Sequence, residues 1–257
     1  MKELQAFAPD SVLVSRVAPS PNRELRNDNI APNILILHYT GMLSTEGAIR
    51  WLAAPESRVS CHYVIDEAGA VVQMVPEADR AWHAGVSYWG GVTDINSCSI
   101  GIEIQNPGHA AGYPDFPEDQ MRGVEDLCID IVGRHRIKAH CVLAHSDIAP
   151  RRKIDPGEKF DWASLARAGI GHWVKPAPLA AGESLTLGNS GEAVSSLQDK
   201  LTAYGYEVGA AGEFDTDTQF AVAAFQRHFR PALVDGRADR STVLTLDALL
   251  AALPAEE

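Results

Sequence analysis

The chain has 257 residues, 46% of them hydrophobic and 22% charged, with a formal net charge of −12. That length suits one mid-sized domain plus a small one, and the acidic balance disfavours a nucleic-acid partner. No apolar run reaches the ~18 residues of a membrane span, and the start, MKELQAFAPDSVLVSRV, lacks the apolar core of a signal peptide. As written, the sequence therefore points to the cytoplasm, with the periplasm or cell envelope as the alternative if an export signal has been removed.

Residues 1 to 29, polar and proline-containing, read as an irregular N-terminal arm. NILILHYT at 33 to 40 has apolar residues at consecutive positions, the pattern of a strand covered on both faces. A first strand is expected over 30 to 40, carrying His38 at its end. Ser44 to Ala54 reads as a helix, capped by Ser44 or Thr45 and packing Ile49, Trp51 and Leu52. His62 to Asp66 and Ala70 to Val75 read as a hairpin around Glu67, Ala68 and Gly69, and Trp82 to Gly91 as a glycine- and aromatic-rich loop. SIGIEIQN at 99 to 106 alternates, with Ile100, Ile102 and Ile104 on one face and Gly101, Glu103 and Gln105 on the other. From 117 to 136, Met121, Val124, Leu127, Cys128, Ile131, Val132 and His135 recur at helical spacing. Val142 to His145 is again a short strand ending in a histidine, and Asp161 caps a short helix running to Ala168.

Residues 173 to 187 contain Pro, Ala and Gly without a strong period and read as a linker. Three amphipathic helices follow. The first is expected to bury Val194, Leu197, Leu201 and Tyr204. The second buries Val222, Phe225 and Phe229 behind Asp215 as N-cap, and the third buries Leu244, Leu246 or Leu249, and Leu250. The expected fold class is α/β (α+β), a mixed central β-sheet flanked by helices, plus a small C-terminal three-helix domain. The expected division is an arm at 1–29, a main domain at 30–172, a linker at 173–186 and the helical domain at 187–257.

AHSDIAPRRKIDPG at 144 to 157 places His145, Lys153 and Asp155 in one segment. Nine residues separate His145 from Asp155, so the segment must loop back for the two to meet, and Pro150 and Pro156 both disfavour a continuous helix. Two imidazoles, His38 and His145, and one carboxylate, Asp155, are an ordinary ligand set for zinc that leaves a fourth position to water. The residual formal charge of such a site favours hydroxide and a developing oxyanion. Water at zinc has a pKa of about 7, and a separate carboxylate can take its proton. The four cysteines, at 61, 98, 128 and 141, form no CxxC and read as buried free thiols, which suits a reducing compartment.

The motifs around His38, Glu103, His145, Lys153 and Asp155, in this order and spacing, resemble the zinc-dependent N-acetylmuramoyl-L-alanine amidases of type 2. That family includes phage lysozyme-like amidases and the animal peptidoglycan recognition proteins. The resemblance spans roughly residues 30 to 165. It implies one Zn2+ per chain on His38, His145 and Asp155, Glu103 as general base, and Lys153 as the ammonium that stabilises a tetrahedral oxyanion. His62 in SCHYVID and His83 in AWHAG match positions near the cleft of relatives. With Trp82 and Tyr39 they are expected to support or contact substrate. Some relatives carry Cys where this chain has Asp155, and non-catalytic members usually lack a ligand.

Residues 187 to 253 resemble the small three-helix peptidoglycan-binding domain of bacterial wall hydrolases, except that Arg237 to Arg240 stand where relatives often have a Gly before the final Thr. The implied activity is hydrolysis of the amide between N-acetylmuramic acid (or its 1,6-anhydro form) and L-alanine of peptidoglycan stem peptides, in cell-wall turnover or recycling. The implied partners are peptidoglycan fragments or muropeptides, met by a monomer. The alternative is a peptidoglycan-binding or sensing protein without turnover, against which the complete ligand set speaks.

Overall fold

The computed structural model describes residues 7–27, 30–209 and 211–254; the first six residues of the expected arm, and residues 28–29, lie outside them. The elements in chain order are β1 (Val14–Val17), β2 (Arg23–Leu25), β3 (Ile34–Tyr39), α1 (Thr45–Leu52), β4 (Tyr63–Ile65), β5 (Val71–Gln73), β6 (Asp79–Ala81), α2 (Ile95–Cys98), β7 (Ser99–Ile104), α3 (Glu118–His135), β8 (Val142–Ala144), α4 (His145–Ile148), α5 (Trp162–Arg167), β9 (Ser184–Leu185), α6 (Glu192–Tyr204), α7 (Thr216–Phe229), β10 (Ala238–Asp239) and α8 (Arg240–Ala251). By compactness the chain divides into two units. One comprises Met1–Gly85, Asp94–Leu143 and Ser164–Gly171; the other comprises Val86–Thr93, Ala144–Ala163 and His172–Glu257.

The first unit is built on a six-stranded sheet in the order β1-β5-β4-β7-β3-β8. The β3–β7, β4–β7 and β1–β5 pairs are parallel and β4–β5 is antiparallel, so the sheet is mixed as expected. Ile34 to Leu37 of β3 are all buried, because an interior parallel strand is covered on both faces. α1 lays Ile49 and Leu52 into a cluster with Cys61, Val64, Val72 and Met74, and Ser44 caps it by accepting from Gly47 N. Trp51, expected to pack, is half-exposed, since Ala48, Ile49 and Leu52 already fill the inward stripe. α3 buries Val124, Leu127, Cys128 and Ile131, and its Gln120 donates to the carbonyl of Gln105 at 2.8 Å. Met121, Val132 and His135 are only partly buried. The β4–β5 hairpin tip meets α3 backbone to backbone: a Cβ on Gly69 (φ +82°) would come within 2.4 Å of the Asp119 carbonyl.

The arm is more ordered than its composition indicates. β1 adds to the sheet beside β5, and β2 pairs antiparallel with β6. These strands are short and largely exposed, and their definition comes from the free backbone edge of the partner strand rather than from a pattern of their own.

The second unit contains the three expected helices. Val194, Leu197, Leu201, Tyr204, Val222, Phe225, Phe229, Leu246 and Leu249 are buried. Leu244 is 45% exposed, because Ser241, Thr242, Thr245, Leu246 and Leu249 form the inward face of α8. The expected linker contributes β9, which pairs antiparallel with β10. A polar repeat organises the helices. Gln198 accepts from Gly212 N and donates to Thr218 Oγ1, while Asp215 caps α7 through Thr218 N. One helix later, Gln226 accepts from Gly236 N and donates to Thr242 Oγ1, while Asp239 caps α8 through Thr242 N. Each glutamine stitches the loop that starts the next helix, so the helix-loop-helix step is built twice. No helix among the described residues is long and apolar enough to cross a membrane.

Candidate metal centre

His38 is the penultimate residue of β3 and is buried to 1% exposure. β8 runs straight into the turn α4, whose first residue is His145, 3% exposed. The chain then loops through Pro150 and returns, with Ser146 N donating to the Asp155 carbonyl at 3.0 Å and His145 Nδ1 lying 2.9 Å from Asp155 Oδ2. One ligand-type atom from each of His38, His145 and Asp155 lies within 4.8 Å of the others. Two imidazole nitrogens and a carboxylate oxygen, all buried, form a donor set that fits a divalent metal with an open position.

His38 and Glu103 are register partners on adjacent parallel strands, so their side chains stand side by side on one face of the sheet. Gly101, two residues before Glu103, shares that face and leaves a hollow filled by the His83 ring. His83 Nδ1 lies 3.0 Å from His38 Nε2, and its Nε2 lies 3.2 Å from Ser99 Oγ. A chain of His38, His83 and Ser99 therefore fixes the ring of a ligand candidate, the usual device for setting the tautomer of a metal-bound histidine. Behind Glu103, the fully buried Cys61 thiol is pushed well up, first by burial and then by the Glu103 charge, and stays neutral.

His62 is fully buried and presents no surface to a ligand. Its Nδ1 accepts from Gly101 N at 3.0 Å, and its Nε2 lies 3.1 Å from the Asp79 carbonyl. Burial, reinforced by the charge of Arg26, pushes it down to about 3, so the ring is a neutral strut under the glycine that seats His83. Trp82 is half-buried, its backbone N bonded to Ser60 Oγ and its indole N–H to Glu24. Tyr39 points away from His38 by strand alternation and bonds His109 Nδ1 at 3.1 Å, beside Tyr113. Lys153 lies in the returning loop, its backbone N bonded to the Ala149 carbonyl. Trp89 of the aromatic loop is buried edge-on against Tyr204 and Tyr206, so it packs the loop down.

Sequence reading did not single out Ser99, Gly101 as a ring seat, or Asp147. Asp147 is 1% exposed and reaches back to accept from Ala144 N at 2.8 Å, capping the turn that begins with His145. Its place two residues after His145 in the 144–157 motif was the available signal.

Residues 28–158 match the family model described as N-acetylmuramoyl-L-alanine amidase, and residues 190–246 match one described as a peptidoglycan binding domain. The chain is 37% identical over 235 residues to the N-acetylmuramoyl-L-alanine amidase AmiD of Escherichia coli (strain K12), covering 84% of this chain and 82% of that protein. It is 36% identical to the 1,6-anhydro-N-acetylmuramyl-L-alanine amidase AmpD of the same organism, over 58% of this chain and 88% of that protein. Among solved structures, the complex of E. coli AmiD with the substrate anhydro-N-acetylmuramic acid-L-Ala-D-γ-Glu-L-Lys superposes with a TM-score of 0.74 at 35% identity, covering 89% of this chain and 92% of that one. The chain thus belongs to the N-acetylmuramoyl-L-alanine amidase family.

Proposed function

We propose that this chain is a zinc-dependent amidase that cleaves the bond between the lactyl carbonyl of N-acetylmuramic acid, including its 1,6-anhydro form, and the L-alanine of a stem peptide. The observation that carries this reading is the convergence of His38, His145 and Asp155 within 4.8 Å, with Glu103 in register beside His38. The anhydro-muropeptide bound to AmiD supports the substrate class. The family matches at 28–158 and 190–246 support a catalytic domain at 30–172 and a helical domain at 187–257, joined by the linker at 173–186.

Zinc held by these three residues would polarise the scissile carbonyl and acidify a water. The chain's own groups divide the remaining work. Glu103 takes a proton from the attacking water as its oxygen bonds to the carbonyl carbon, then returns that proton to the departing alanine nitrogen as the C–N bond breaks. Lys153 offers its ammonium to the oxyanion. We assign His38 Nδ1 to the metal, an assignment that leaves His38 Nε2–H to donate to His83 Nδ1, 3.0 Å away, and His83 Nε2–H to donate to Ser99 Oγ, 3.2 Å away. His62 acts through Gly101 rather than on substrate. Trp82 and Tyr39 are kept as candidates for the rim of the cleft. The four free cysteines support the cytoplasmic reading; the envelope is the alternative.

Incubation with a defined anhydro-muropeptide, followed by mass spectrometry, should show two products: the sugar acid and a peptide with free L-alanine. Glu103→Gln should keep its zinc and lose about 10²-fold or more in rate. Intact substrate after incubation with the zinc-loaded wild type would overturn the activity, and near-normal turnover by the variant would remove Glu103 as base.

A further inference from the structure

We infer that Tyr206 and His228, from the C-terminal helical region, are positioning residues for the metal ligands, acting through Asp147 on the turn that carries His145. The inference rests on the reading of His38, His145 and Asp155 as the zinc site.

The turn α4 is four residues long, too short to hold its own geometry. It nevertheless fixes much of the site. His145 is its first residue, Ser146 N holds the Asp155 carbonyl, and the Ala149 carbonyl that follows it accepts from Lys153 N. Its stiffness comes from Asp147. One carboxylate oxygen takes the Ala144 N–H; the same oxygen takes His228 Nδ1 at 2.7 Å, and the other takes the Tyr206 hydroxyl at 2.7 Å. All three side chains are nearly or fully buried: Asp147 at 1%, Tyr206 at 0% and His228 at 2%. A buried carboxylate without such donors would be costly, so the donors decide whether the turn is stable as folded.

Tyr206 lies 59 residues beyond Asp147 and His228 lies 81 beyond it. His228 is itself pinned, stacked on Trp162 at 3.7 Å between ring centroids, just beyond the returning loop. Around the same turn, Tyr88 N donates to the Ile148 carbonyl, and Gly90 N donates to that of Gly205. The C-terminal helices thus reach the ligand-bearing loop through specific polar bonds. A module that served only to hold the enzyme near polymeric wall would not need these bonds. The consequence is that small muropeptides, which gain nothing from a tether, still depend on Tyr206 and His228.

The test uses the full chain and inorganic zinc. Zinc dissociation constants are measured by competition with a chromophoric chelator, alongside thermal melts of the metal-free proteins. Tyr206→Phe keeps the ring and deletes only the hydroxyl. It should weaken zinc about tenfold, at the lower end of what second-layer partners of metal ligands contribute. His228→Asn, which retains a donor, should lie closer to wild type than His228→Leu. Leu246→Ala, in the core of α8 and away from Asp147, should lower the melting temperature and leave zinc affinity unchanged. Wild-type zinc affinity in Tyr206→Phe, or an equal loss in Leu246→Ala, would overturn the inference. Should Tyr206→Phe fail to fold, equal zinc affinity in His228→Asn and His228→Leu would overturn it instead. A wild type that binds no zinc would overturn the reading of the metal site and this inference with it. A wild type that binds zinc without cleaving muropeptide would overturn the activity alone.

Discussion

Gly101→Ala isolates the seating of His83. Gly101 lies in a β-strand with an ordinary backbone, so alanine meets no conformational obstacle there; the obstacle is the imidazole. A Cβ at this position would sit 2.5 Å from both Cγ and Nδ1 of His83, where ordinary contact begins near 3.4 Å. The ring must therefore move by about 0.9 Å. His83 is 8% exposed and edge-on to both His38 and His62, so little room exists for that shift. The displaced atom, Nδ1, is the one 3.0 Å from His38 Nε2, and a movement of this size breaks or misaligns that bond. Overpacking of this kind costs about 1–3 kcal/mol in stability. Loss of the partner of a metal-bound histidine costs about 10–100-fold in metal affinity.

Combining Gly101→Ala with His83→Ala separates the two effects. Once the ring is gone, the new methyl fits, so the double variant should be less destabilised than the two single changes predict. Urea unfolding of the metal-free proteins gives the coupling energy, and chelator competition gives the zinc affinity. Additivity within about 0.5 kcal/mol, or a Gly101→Ala protein with wild-type zinc affinity, would show that His83 neither fills this hollow tightly nor holds His38.

Two further outcomes are expected. Elemental analysis should find stoichiometric zinc in the wild type and little in His145→Ala; a full complement in the variant would remove His145 as a ligand. Glu77, although burial alone would push it up, is held down at about 2 by hydrogen bonds from Arg134, His135 and Tyr63 and by the Arg134 charge. A carboxylate depressed from its ordinary 4.5 contributes stability that is complete above that pH and is lost as pH falls through 2. The full contribution is about 3 kcal/mol. The stability gap between wild type and Glu77→Gln, measured by urea unfolding, should therefore narrow from near-neutral pH toward pH 2, and a gap independent of pH would refute this account.

The central strands were legible because their physics is local. Ile34 to Leu37 must be covered on both sides, and the Ile100–Ile102–Ile104 alternation fixes which face Glu103 shares with His38. The misread positions share a different cause. β1 and β2 exist because β5 and β6 offer open edges, which no pattern within residues 14 to 25 can show. Trp51 and Leu244 are apolar residues on helices whose inward stripes are already filled by other residues. Hydrophobicity gives the face of a helix, but the fit of the face decides which of its borderline residues go in.

The site divides in the same way. Its ligand candidates stand at strand ends and in one motif, and the amino-acid types alone announce the chemistry. The groups that hold them are distant in sequence: His83 is 45 residues from His38, and His228 is 81 from Asp147. Yet a signal for the second pair was present in α7. That helix buries Ala221, Val222, Ala224, Phe225, Gln226, His228 and Phe229, more than one face's worth, so it must be covered on two sides. A three-helix module covers one side. Gln226 is used up in stitching the α7–α8 loop, which leaves His228 as a buried polar residue on the other side of the helix. Such a residue requires a partner, and among the described residues the one that bonds its Nδ1 is Asp147, outside α6–α8. The buried histidine of the C-terminal region thus calls for an acceptor elsewhere in the chain. The acceptor it finds is the carboxylate two residues after His145.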